Sequence, residues 1–173
     1  AMGTRNLVPA MAAGRSVIIK IVSETQLKNL APMPVLDEAG VPKGVANVLP
    51  SRNKSVLVDH MLHDPRVRVV SFTGSTEVGR KLLHSAADQV LKPAMELGGN
   101  APAIVFEDAN LDVAVEGVIL AKMRNLGEAC TAANRIYVHS SIAPAFTEKF
   151  TSAMAELKIG NGLEAGIDVG PLV

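Results

Sequence analysis

Tryptophan is absent from this 173-residue chain, tyrosine occurs once, and aromatic residues make up only 3% of it. So small an aromatic supply offers no platform for stacking bases, and 17 basic residues against 17 acidic ones leave no excess charge to follow a phosphate backbone. Nucleic acid is therefore not an expected partner. No apolar run reaches the roughly 18 to 20 residues that cross a bilayer, and AMGTRNLVPAMAAGR at the start lacks the layout of a signal peptide. The expected location is the cytoplasm, without membrane attachment. The single cysteine, Cys130, can form no internal disulfide. The histidines His60, His63, His84 and His139 are scattered, and His60 and His63 lack a third ligand, so no metal is expected.

What is present is a core. Hydrophobic residues make up 48% of the sequence, enough for a folded chain of one or two domains. Short β-branched runs alternate with longer helix-like stretches. Strands are expected at 16–20, 45–49 and 67–72, with helices at 26–39, 55–62 and 75–90 between and after them. A second set follows ELGGNAP: strands at 101–106 and 134–139, helices at 111–123 and 142–157. This order predicts an α/β fold, a parallel Rossmann-like sheet with flanking helices followed by the start of a second α/β domain. The predicted units are residues 1–98 and 99–173. Pro32 and Pro34 fall inside the helix at 26–39, each costing ~3 kcal/mol in a helix interior, which predicts a break there.

Three stretches carry residues suited to chemistry. In SFTGSTEVG, residues 71–79, a glycine and a serine stand between strand and helix, where the first-turn N–H groups attract an anion such as phosphate. A helix start without a phosphate is the commoner outcome, and the G-x-G-x-x-G fingerprint is absent. In MELGGNAP, residues 95–102, Glu96 ends a strand beside two glycines and can serve as a general base toward water, or simply as a solvated carboxylate. In RNLGEACTAANR, residues 124–135, Cys130 is flanked by Arg124 and Arg135, and Gly127 and Ala129 leave space for a substrate. A lone cysteine is by itself more often an inert core residue.

Taken in series, these stretches resemble the NAD(P)-dependent aldehyde dehydrogenase family, most closely its succinate-semialdehyde branch. The similarity runs from LVPAMAAGRSVIIK through FTGSTEVG, MELGGNAPAIVFEDANLD and RNLGEACTAANRIYV to IGNGLEAGIDVGPLV. The resemblance implies that Cys130 attacks an aldehyde and that Glu96, 34 residues before it, activates the water that hydrolyses the thioester. It implies a cofactor set of Lys20, Ser23, Phe72, Gly74, Ser75 and Leu97, and a substrate carboxylate held by Arg124. Ser23 stands where NAD-preferring members often carry a glutamate. A serine does not repel a 2′-phosphate, which leans the expectation toward NADP over NAD. Homo-oligomers are usual in the family.

The resemblance also has gaps. The sequence is similar only to the family's middle, an internal fragment of its fold, and includes neither the P-W-N-F asparagine of the oxyanion hole nor the E-x-F-G-P glutamate. Losing one oxyanion donor costs about a hundredfold or more, so little or no turnover is expected of the isolated chain. KIVSETQ replaces the family's K-P-x-x-x-T-P, and Arg15 occupies a position usually small or apolar. Ala132 stands where some relatives have a second cysteine. The competing expectation is a non-catalytic remnant that binds nucleotide or a partner.

Overall fold

A computed structural model describes residues 2–22 and 24–172. The chain divides into two compact units, residues 1–96 and 97–173, parting between Glu96 and Leu97.

The first unit opens with helix α1 (Met2–Ala12), then β1 (Val17–Lys20), α2 (Gln26–Leu30), α3 (Pro32–Glu38), β2 (Ala46–Leu49), α4 (Lys54–Leu62), β3 (Val69–Gly74), α5 (Thr76–Ala87) and β4 (Lys92–Leu97), whose last residue lies across the division. β1 and β2 run parallel, with Val17 opposite Ala46 and Lys20 opposite Leu49. Instead of extending that pair, β3 hydrogen-bonds to β4. Leu62, Ala86 and Leu91 are buried together, with Val58, Val67, Val70 and Leu82 packed on them, and this aliphatic cluster joins α4 to α5.

The expected break in the helix at 26–39 falls at Ala31, between α2 and α3. Pro32 takes the first position of α3, where the missing N–H would have had no intrahelical acceptor, and Pro34 still lies in that first turn. The interior penalty is thus avoided by starting a new helix. Helix α1 went unrecognised in the sequence, because Pro9 interrupts its pattern from inside.

Three helices of this unit close in the same way. Behind α1, the N–H of Arg15 donates to the carbonyl of Ala10 and that of Gly14 to Met11. Behind α3 the pairs are Val41 to Leu36 and Gly40 to Asp37, and behind α5 they are Leu91 to Ala86 and Val90 to Ala87. This is the Schellman pattern, which needs a left-handed residue. Gly14 and Gly40 supply it at φ 69° and 78°, whereas at the third site Val90 is forced to φ 51°. That turn ends α5 at Ala87, three residues short of the expected 90.

The second unit contains β5 (Ala101–Val105), α6 (Leu111–Met123), β6 (Ala133–Val138) and α7 (Ala143–Ala155). β5 and β6 pair in parallel, and the register slips between Ala101 opposite Ala133 and Pro102 opposite Arg135. Asn134 is the residue left over. Its core is Val105, Val115, Val118 and Phe146, with Phe150 stacked on Phe146 at 5.7 Å between ring centroids. Apolar surface remains open on this unit at Ile104, Phe106 and Leu120.

Among the described residues, no helix is long and apolar enough to cross a membrane.

Candidate functional site

The first unit carries Lys20, Phe72, Gly74, Ser75 and Glu96, and the second carries Leu97, Arg124 and Cys130. Ser23 lies outside the described residues.

Lys20 closes β1 with its side chain half-buried. Its pKa is lowered from the ordinary lysine value, first by that burial and then by the charge of Lys54, with Glu24 opposing. A partly desolvated ammonium of this kind gains most from an anionic partner. Further along the same unit, Ser75 N-caps α5 with extended backbone, its Oγ accepting from Val78 N–H at 3.4 Å and its carbonyl from Gly79 N–H at 3.0 Å. The N–H groups of Thr76 and Glu77 therefore open the helix ahead of any intrahelical acceptor. The Glu77 carboxylate pairs with Lys81 at 2.6 Å, which holds it below the usual carboxylate range and offsets its charge beside this helix start.

Gly74 is explained by packing. A Cβ there would stand 2.5 Å from Cζ of Phe72, so the glycine makes room for a ring. Its φ is not left-handed. Lys20 and the serine-capped start of α5 offer the donors that an anionic dinucleotide requires, and in that sense the residues present fit NAD(P). Glu96 is exposed near the end of β4, with Leu97 half-buried next to it and Gly98 and Gly99 opening onto free space.

In the second unit, α6 begins at Asn110, whose Oδ1 accepts from the N–H groups of Asp112 and Val113 at 3.1 and 3.3 Å. It ends at Met123 and passes into a tight turn, Arg124–Gly127. Asn125, Leu126 and Gly127 there have φ values of 53°, 60° and 77°. Three consecutive left-handed residues, two of them not glycine, cost backbone energy that the surroundings must offset. Cys130 follows and is exposed, which removes the inert buried reading. Ala132 and Ala133, just beyond it, are fully buried and fix the end of the loop.

Two roles expected around the cysteine change. An added Cβ on Gly127 would meet the backbone oxygen of Lys122 at 3.2 Å, so this glycine accommodates the Lys122 backbone and a left-handed turn. The Arg135 guanidinium donates to the Asn100 carbonyl from Nε and Nη2 at 3.4 and 3.2 Å and so ties β6 to the start of β5. Arg124 is exposed and lines a groove of about 990 Å³ between α6 and α7, whose floor includes Val115, Ile119 and Leu157. Cys130 is not among the residues lining it.

Lys122, Asn134 and Asn100 had no assigned part in the sequence reading. Lys122 Nζ donates to Asn134 Oδ1 at 2.6 Å, and Asn134 Nδ2 to Asn100 Oδ1 at 3.4 Å. Asn100 was visible as part of MELGGN, but nothing in the local pattern marks the other two.

An exposed thiol in the second unit, and an exposed carboxylate and a serine-capped helix start in the first, are the groups available for chemistry. The whole chain, residues 1–173, matches the aldehyde dehydrogenase family, and it belongs to that family. It is 51% identical to the succinate-semialdehyde dehydrogenase of Paenarthrobacter nicotinovorans, covering 100% of this chain and 38% of that one. The glutarate-semialdehyde dehydrogenase of Pseudomonas aeruginosa is 47% identical, with 100% and 36% covered. A solved structure described as an NADP-dependent enzyme of E. coli superposes with a TM-score of 0.95 at 46% identity, over 99% of this chain and 36% of its own. The chain thus spans well under half the length of the relatives it matches.

Proposed function

We propose that the chain carries the working segments of a semialdehyde dehydrogenase, oxidising succinate semialdehyde or a similar aldehyde to its acid. The observation that carries this reading is the exposed Cys130 at the end of a left-handed turn. The Cys130 thiolate adds to the aldehyde carbon, forming a C–S bond and a tetrahedral thiohemiacetal. Bound NAD(P)+ supplies the acceptor for the hydride that leaves that carbon. The product at Cys130 is a thioester. Glu96 takes a proton from water, the hydroxide adds to the thioester carbon, and the C–S bond breaks to return the thiolate and release the acid.

Arg124 holds the distal carboxylate of the substrate, for which a guanidinium is suited by its two parallel donors. Lys20 meets the adenosine ribose and Ser75 the pyrophosphate, with Phe72, Gly74 and Leu97 completing the cofactor set. Ser23 offers no carboxylate to repel a 2′-phosphate, which supports NADP over NAD, in keeping with the NADP-dependent E. coli relative. The composition supports a cytoplasmic site of action.

The test is NADP reduction by the purified chain with succinate semialdehyde, with Cys130→Ala as control. Activity that disappears in the variant upholds the reading. Activity retained in the variant overturns the role of Cys130. No activity in either agrees with the little or no turnover expected of the isolated chain, leaves its dehydrogenase ancestry intact, and favours a second reading, a chain that binds nucleotide or another protein surface without turnover. The exposed Ile104, Phe106 and Leu120 favour that alternative, since apolar surface of this kind is used in association.

A further inference from the structure

We infer that Lys122 is a positioning residue for the nucleophile, strapping together the two ends of the loop that bears Cys130. The inference rests on the reading of Cys130 given above and adds a residue to it.

The loop leaves α6 at Met123 and enters β6 at Ala133. Lys122, in the last turn of α6, reaches across its base, and its ammonium donates to Asn134 Oδ1 at 2.6 Å. A bond of that length between a charged donor and an amide oxygen belongs to the stronger class of hydrogen bond. Asn134 is free to receive it because of a defect in the sheet. Pro102 has no N–H to give to the ladder, and the β5–β6 register skips one residue beside it. The skipped residue is Asn134, and bulges of this type turn a side chain away from its regular direction. From there Asn134 also donates to Asn100, so the strap is anchored on the residue that leads into β5 as well as on β6.

The same lysine lies over the turn itself. The site of a Cβ on Gly127 is 3.2 Å from the Lys122 carbonyl oxygen and 3.8 Å from its Nζ. Lys122 thereby holds down the segment in which Asn125, Leu126 and Gly127 are left-handed. Without the strap those residues relax toward ordinary backbone, and Cys130, three residues further on, loses its fixed presentation. A 12-residue span closed by one charge-assisted bond makes the lysine a single point of control.

The experiment measures the rate constant for alkylation of Cys130 by iodoacetamide in the full chain. Lys122→Met is expected to lower it at least fivefold, and Asn134→Ala to lower it comparably. Lys122→Arg is expected to restore it to within twofold, and the double variant Lys122→Met/Asn134→Ala to fall no further than either single one. Far-ultraviolet circular dichroism and the urea midpoint of each variant establish that the fold persists; should Lys122→Met not fold, Asn134→Ala and Lys122→Arg decide. Single variants that react within twofold of the parent, or independent additive losses in the double variant, overturn the inference. The catalytic reading fails separately, if the parent thiol reacts no faster than a free cysteine peptide and aldehyde gives no protection, even where the rate still depends on Lys122.

Discussion

The two units are held together by different contacts, and the difference bears on the chemistry proposed for them. In the first, a small aliphatic cluster joins α4 to α5, and helices end in backbone turns that any short sequence can specify. In the second, a stacked phenylalanine pair sits in the core, and side chains link its elements through Lys149 to Asp112 at 2.6 Å, Lys122 to Asn134, and Arg135 to Asn100, where the first has His63 to Asp88 and Asn47 to the Val17 carbonyl. A phosphate tolerates small errors in position because its attraction to N–H groups and lysine is electrostatic and falls slowly with distance. A nucleophile does not, since a displacement of about 1 Å costs roughly a hundredfold in rate.

The comparison breaks most readily in the two cores. Phe146 is 3% exposed and stacked on Phe150, so Phe146→Ala removes both buried area and a ring contact. The expected cost is about 3–5 kcal/mol, a large fraction of the stability of a domain of this size. Leu62→Ala in the smaller cluster is expected to fall in the lower part of the ~2–5 kcal/mol range for buried leucine. Urea titrations followed by circular dichroism compare them. Equal losses would show that the phenylalanine pair contributes no more than the aliphatic cluster.

The two helix starts give a second comparison. Asn110 caps α6 with two bonds, at 3.1 and 3.3 Å, whereas Ser75 caps α5 with one long bond at 3.4 Å. Asn110→Ala is expected to cost about 1–2 kcal/mol and Ser75→Ala about 0.5–1 kcal/mol in the same titration. A larger loss at Ser75 would mean that its hydroxyl has a structural duty beyond the cap. A small loss of stability with a large loss of NADP binding would instead support its place at the pyrophosphate.

Much of this architecture was legible because it is local. Helix α6 has the limits its pattern indicates, Leu111–Met123, with an asparagine cap before it. The break at Ala31 followed from two prolines, and the strands lie within two residues of their expected ends. The exposed cysteine and the helix start at Ser75 stand in motifs readable from spacing. What was not legible depends on contacts between distant residues or on backbone that sequence disfavours. Nothing in RNLG indicates a left-handed run, because asparagine tolerates that region but leucine avoids it unless its surroundings impose it. The bulge at Asn134 arises from Pro102 on another strand, and only the fold brings the two together. Gly127 is expected from the sequence to leave space and Gly74 stands between strand and helix, and both are places where a neighbour occupies the volume a Cβ would take.

The three Schellman turns of the first unit sharpen the contrast by gain of stability. Gly14 and Gly40 adopt positive φ without a steric penalty, but Val90, 89% exposed, does so with a β-branched side chain that nothing packs upon. Val90→Gly is expected to raise stability by about 1 kcal/mol, net of the added freedom of the unfolded chain. Gly40→Val in the matching turn is expected to lower it by a similar amount. The urea midpoints of the two variants should move in opposite directions. A fall for Val90→Gly would show that the valine contributes packing that outweighs its strain.

The smallest effect expected is a pH dependence confined to the first unit. His63 stands at the end of α4 with Nδ1 2.8 Å from the carbonyl oxygen of Asp59 and Nε2 3.2 Å from the Asp88 carboxylate at the end of α5. The Asp59 carboxylate also faces Nδ1, at 3.4 Å. The hydrogen bonds to Asp59 and Asp88 raise the imidazole pKa above its ordinary value. A group whose pKa is raised in the folded state binds its proton more tightly there, so its contribution is complete below the unfolded value of about 6.5 and is lost as pH rises through the folded value. The melting temperature should therefore gain slightly on going from about pH 8 to about pH 6, and His63→Gln should abolish that increment while leaving the rest of the pH profile intact. Because the ring and both carboxylates are in solvent, added salt should shrink the increment further. An increment that survives in His63→Gln would assign it to another group. One that resists salt would mean that the α4–α5 link is shielded from water more than its exposure allows.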